Sequence, residues 1–191
     1  LSGGNSHITT VLATNDNVYV SGIIGTNAEV FENKADTAVA KRSFIIALAA
    51  KTGKTVWLQS NTSNGFVSLT NDNQGNIYGL GEYEAYRYGY PYDKPAYFHS
   101  DTLRSRWGSL IIASYDAKGN YRWVKSTTSV LFENSHYYRL FNDGCNNLFV
   151  AGSAFAGLKI PTQYLDGAFM KGEAYGSMAY ITRIRNNVNK L

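Results

Sequence analysis

The chain has 191 residues, 44% of them hydrophobic and 17% charged, with a formal net charge of +4. That balance supports a domain with a real core and excludes a disordered chain. The 18 basic and 14 acidic residues are dispersed, which argues against a nucleic-acid partner, and no run approaches the roughly 20 apolar residues that span a bilayer.

Glycine is plentiful (18), proline scarce (3), and aromatic residues reach 14%, a combination that favours short strands joined by turns with positive φ. The first predicted strand is HITTVLA (7–13), followed by an Asn/Asp turn and an alternating strand in TNDNVYVSG (14–22). SFIIALA (43–49) is a compact β-type run, and AAKTGKTVWLQS (49–60) is a Lys/Gly turn entering a strand with Trp57. The series then begins again with GFVSLT (65–70), NDNQGNIYGLG (71–81), SLIIASY (109–115) and YDAKGNYRWVKS (115–126), the last carrying Trp123. A third pass runs through YYRLF (137–141), NDGCNNLFVAG (142–152) and MAYITRI (178–184), without a fourth, Trp-bearing segment.

This internal repeat predicts an all-β chain of three four-stranded antiparallel meanders, about 5–60, 61–126 and 127–191, the last lacking its outer strand. A meander so thin cannot bury both faces alone, and stacking copies face to face solves that. Four-stranded sheets repeated radially make a β-propeller, and a closed ring needs roughly four to eight blades. The expectation is therefore a partial propeller, completed by further blades from this or another chain. The opening LSGGNSH, with no initiator methionine and no signal-peptide pattern, is expected of a processed or truncated piece. Trp57 and Trp123 are expected between blades, since an indole buries on the order of 200 Å², worth up to ~5 kcal/mol.

The order GNIYGLG … SLIIASYDAKGNYRWVKS, echoed by DGCNNLFVAGSAFAGLKI, resembles the bacterial SBBP-type β-propeller repeat. In that family a D-x-x-G-N-x-Y-V-x-G-S-F-x-G stretch precedes F-V-A-K-Y-D-x-x-G-N-x-x-W. The likeness runs from about Ile8 to Ile184 outside the long insertions. Ala50 and Arg185 stand where the family has aspartate, and the first Asn/Asp turn lacks the glycine found at Gly75. The resemblance implies an exported or outer-surface protein of the Bacteroidota kind, with a scaffold or adhesion role and some link to type IX secretion or gliding. It implies no catalytic residues and no cofactor. IALAAKTGKTVW is also similar to a quinoprotein propeller repeat, although the vicinal cysteine pair common beside that cofactor is absent, Cys145 being the single cysteine.

Strand parity puts the short turns on one rim of such a ring and the long connections 25–42, 84–108 and 156–176 on the other, where long loops usually serve function. The middle one is rich in rings and guanidinium groups. Tyr86, Arg87, Tyr88, Tyr90, Tyr92, Tyr97, Phe98, Arg104 and Arg106 form the candidate interaction surface, for a protein of a surface assembly or for a glycan. The competing expectation is that this loop buries its own rings against its blade. DTA and DTL, with Thr37 and Thr102, resemble the O-glycosylation signal of Bacteroidota, and Asn61 opens an N-x-S sequon. Enzyme signals are thin: His7, His99 and His136 have no metal spacing, and no nucleophile-elbow, Cys-x-x-Cys, zincin or phosphate-loop pattern occurs. The expected role is a non-enzymatic binding module without metal; the alternatives are a glycan-binding module or a propeller enzyme, quinoprotein-like or glycan-active.

Overall fold

A computed structural model of the chain describes residues 6–24, 43–61, 65–83, 86–87, 90–91, 95–103, 109–126, 138–145, 147–155, 165–169 and 177–184. These residues form strands and turns only, and among them no helix is long and apolar enough to cross a membrane. Three four-stranded antiparallel sheets carry the fold. The first is the meander β1 (His7–Ala13), β2 (Asn17–Ile23), β3 (Ser43–Ala49) and β4 (Thr55–Asn61). The second comprises β5 (Phe66–Asn71), β6 (Ile77–Tyr83), β11 (Ser109–Tyr115) and β12 (Tyr121–Ser126), in that spatial order. Between β6 and β11 the chain makes two small hairpins, β7 (Tyr86–Arg87) with β8 (Tyr90–Pro91) and β9 (Ala96–Phe98) with β10 (Asp101–Leu103).

The period-two alternation decides which sheet faces meet. In the first sheet Leu12, Tyr19, Ala47 and Trp57 make one cross-strand row. This row packs on Phe66, Leu69, Ile77, Ile111, Ala113 and Tyr115 of the second sheet in one core. The opposite face of the second sheet, with Tyr78, Leu80, Leu110 and Ile112, packs on Tyr138, Leu140, Leu148 and Val150 of the third. The central sheet thus spends both faces on its neighbours. β5 lies against β1 on one side and β13 (Arg139–Asn142) on the other, so the leading strands of the three sheets are adjacent.

Trp57 is buried in the first of these cores. Its indole N–H donates to the carbonyl of Ala117 at 3.3 Å, and the neighbouring Gln59 amide donates to the carbonyl of Gly119 at 3.0 Å. The indole therefore sits on the 116–120 turn of the next sheet. Gly119 has φ +84°, and a Cβ there would meet the Trp57 ring at 2.5 Å, so both the turn and the close approach require glycine. Trp123 is half-buried and lies 5.9 Å from Tyr78, much as Trp57 lies 5.7 Å from Tyr19.

Three turns are built the same way, around an aspartate four residues before an asparagine. Asp72, Asp116 and Asp143 each accept the side-chain amide of Asn76, Asn120 or Asn147 at 2.7–2.8 Å, together with two backbone N–H groups. These are Asx turns, as the Asn/Asp composition suggests. In the 142–152 segment the turn leaves Cys145 exposed. Asp72 is the most enclosed of the three and also accepts the Tyr78 hydroxyl at 2.7 Å. Burial alone would raise its carboxyl, but the bonds from Asn76, Tyr78 and Gln74 outweigh that and hold it below the ordinary 3.8.

The third sheet differs from expectation. It has four strands, in the order β13, β14 (Leu148–Phe155), β16 (Ser177–Ile184) and β15 (Leu165–Phe169). The outer place is filled from the segment between β14 and β16, where a long loop was expected. A bare edge on β16 would leave a row of N–H and C=O groups unpaired, and β15 pairs with it over five positions.

Two measurements check this architecture. Gly119→Ala is expected to cost about 2–4 kcal/mol in urea denaturation, since it adds a clash with Trp57 to the strain of positive φ. Gly53→Ala, at φ +69° with open space around it, should cost only about 1 kcal/mol. For Asp72, a carboxyl depressed in the folded state contributes stability that is complete above its unfolded value and is lost as pH falls through the folded one. Asp72→Asn should therefore lower the denaturation midpoint at neutral pH, with the gap from wild type closing below pH 3.8; a gap that persists into strong acid would contradict the assignment.

Candidate functional site: an interaction surface

The surface candidate is built on the β9–β10 hairpin. AYF and DTL are two three-residue strands around a His99-Ser100 tip, with Phe98 opposite Asp101 and Tyr97 opposite Thr102. A two-residue connection needs φ > 0, and His99 supplies it at φ 45°, a value a side-chain-bearing residue seldom adopts. Alternation gives the hairpin an inner side and an outer side. Ala96, Phe98 and Leu103 pack into the core between the first two sheets, whereas Tyr97 and Thr102 are exposed.

The tip is tied down by Tyr121. Its hydroxyl donates to the Asp101 carboxylate, and its ring lies 5.8 Å from His99. Burial, followed by the bond to Asp101, pushes the Tyr121 hydroxyl far above the ordinary tyrosine range, so it stays a donor. Tyr121 also meets Tyr115 edge-on at 6.1 Å, and Tyr115 lies 6.2 Å from Trp57. A file of rings, Tyr19, Trp57, Tyr115, Tyr121 and His99, runs from the first sheet through the core to the surface.

Tyr121 begins β12, directly after the short 116–120 turn, so the hairpin tip is fastened at that end of the second sheet. It lies beside β4 and β12. The physical reason is that the hairpin's apolar residues must be covered, and the core shared by the first two sheets covers them.

The predicted interaction residues separate accordingly. Tyr97 is 49% exposed and belongs to the surface, whereas Phe98 is 1% exposed and belongs to the core, as the competing reading of that loop requires. Tyr86, Arg87 and Tyr90 lie on the β7–β8 hairpin, with Tyr86 opposite Pro91 and Arg87 opposite Tyr90. Tyr88, Tyr92, Arg104, Arg106 and Thr37 lie outside the described residues. Thr102 is exposed on β10, while Asn61 is buried on β4, so the sequon there has no accessible amide. Tyr121 carries no role in the sequence reading, where His99 figures only among histidines without metal spacing and Asp101 only within the DTL signal. Their signal was the short alternating A-Y-F and D-T-L runs around a polar pair.

Among the described residues no three His, Cys, Asp or Glu side chains come together as a metal site. The arrangement places an exposed tyrosine, a threonine hydroxyl and an imidazole on one tethered hairpin. Its division into two sides has a direct test. Phe98→Ala should cost about 3–5 kcal/mol of stability by leaving a cavity, and Tyr97→Ala should stay within about 0.5 kcal/mol, both read from denaturant midpoints. Comparison with known proteins finds no matching family model and no matching curated relative.

Proposed function

We propose that the three sheets are successive blades of a β-propeller of the SBBP-repeat kind, completed by further blades. In this reading the protein is a non-enzymatic scaffold or adhesion module outside the cell or on its outer surface. It binds another protein of a surface assembly through the region built by residues 84–108. The face-to-face succession of the sheets, with β1, β5 and β13 side by side, supports the propeller reading. The single observation that carries the binding role is the tethered hairpin presenting Tyr97, an amphipathic ring held outward by a buried Phe98. A preorganised ring loses little entropy on binding, which is why tyrosine is frequent in recognition surfaces.

A second reading, glycan recognition, draws on the same exposed ring, because sugars stack on aromatic faces. Both are tested with one variant, Tyr86→Ser/Tyr90→Ser/Tyr97→Ser, after its thermal stability has been matched to wild type. Crosslinked capture of a defined surface protein should fall by about ten-fold or more if protein contact is the role. Capture that survives, together with lost binding on a glycan array, would favour the second reading. No change in either assay would remove the region from consideration.

A further inference from the structure

The row of three sheets presents an apolar patch at each end. We infer that these two patches dock on one another between two copies of the chain, the first sheet of one copy against the third sheet of the other. The pairing rests on the contacts between sheets described above; its closure into a ring rests in addition on the propeller reading.

Equivalent positions follow from register. Val20, Gly79 and Val150 hold the same place in the second strand of their sheets, and they stand opposite Val11, Leu69 and Leu140. Two residues further on, Gly22 is opposite Ile8, Gly81 is opposite Phe66, and Gly152 lies against the ring of Tyr138. In the second and third sheets these residues lie on the face toward the preceding sheet, and Phe66, Leu69, Tyr138 and Leu140 are at most 8% exposed. In the first sheet the same places are held by Ile8, 55% exposed, and Val11, 57% exposed. Farther across that face Phe44 and Ile46 are buried, so the docking surface is the part along β1.

The surface that covers such positions is also specific. Leu12 and Tyr19, opposed on β1 and β2, share the core that buries Phe66 and Leu69. Tyr78, at the Tyr19 place of the second sheet, shares the core that buries Tyr138 and Leu140. The equivalent pair in the third sheet is Phe141 and Phe149, opposed and stacked at 5.1 Å. Leu140, Leu148 and Val150 face the second sheet, so alternation turns Phe141 and Phe149 away from it. Phe141 is 42% exposed.

One chain therefore carries both halves of a contact that it already makes twice internally, which selects a second copy as the occupant. The location agrees. At each existing boundary the leading strands are stitched by a hydroxyl: Thr9 donates to the Phe66 carbonyl, and the Leu140 amide donates to Ser68 at 3.0 Å. Ile8 and Val11 lie on the leading strand β1 and Phe141 on the leading strand β13, where a further boundary of this kind would form. Two copies supply six sheets, within the roughly four to eight that close a propeller. A head-to-tail contact made twice leaves neither patch free.

Sedimentation of the chain should show a species of twice the 21.1 kDa of one copy. Val11→Lys on one patch and Phe141→Glu on the other should each raise the dissociation constant by about ten-fold or more. Val11 is exposed, so the first variant should keep the wild-type melting temperature. Mixing the two variants should restore pairing, because one junction is then unaltered and the other opposes lysine to glutamate. A chain that remains a single copy would overturn the inference and leave the propeller reading intact, with another sheet covering the patches. The inference falls equally with a dimer insensitive to both variants, or with variants that do not recover on mixing. Open rows longer than two copies would uphold the pairing and overturn the ring.

Discussion

An indole from one sheet resting on the hairpin turn of the next is the contact on which the rest of the structure depends. A four-stranded antiparallel sheet has two faces and little thickness, so each must find apolar cover outside itself. Trp57 supplies that cover across the first boundary. It fills the space beside Tyr19 and Tyr115, donates to Ala117, and closes onto a turn kept bare of side chain by Gly119. The bond spans 60 residues of chain, so it joins units and cannot be produced within one. The Asx turn at 116–120 is therefore a docking surface as well as a link, and its Asp116–Asn120 bonds hold the backbone in the shape the indole needs.

The same packing explains how the insertion of the second sheet is used. The β9–β10 hairpin adds Ala96, Phe98 and Leu103 to the core shared by the first two sheets. Its outward residues are then presented on a rigid support, with the tip held by Tyr121 and the strained His99. In the proposed binding role such support would matter because the ordering cost has been met in folding. The third sheet meets a different edge problem through β15, which pairs with residues 180–184 of β16 without a tryptophan.

Much of this organisation was legible in the sequence. The alternation in NVYVSG, NIYGLG and NLFVAG, the glycine turns and the recurrent tryptophan gave the sheets, their order and the inter-sheet place of Trp57. Local periodicity reports these features because burial on one face imposes it residue by residue. The position of the β9–β10 hairpin was not legible in that way. Its strands are three residues long, and Tyr97 and Phe98 look alike in composition although one faces solvent and the other the core. Which ring is buried depends on where the hairpin docks, a tertiary fact with no local signature. β15 escaped notice for a similar reason: LDGAF has weak strand propensity, and it pairs because β16 offers an edge.

The most direct measurement is a nuclear Overhauser spectrum of the intact chain with the Trp57 indole resonance assigned. The account predicts cross-peaks from its ring protons to the Gly119 α-protons and from its N–H to the residues around the Ala117 carbonyl. A Trp57 side chain with contacts only inside its own sheet, or with the line shape and solvent exchange of a free indole, would contradict sheet-on-sheet docking and the fold built on it.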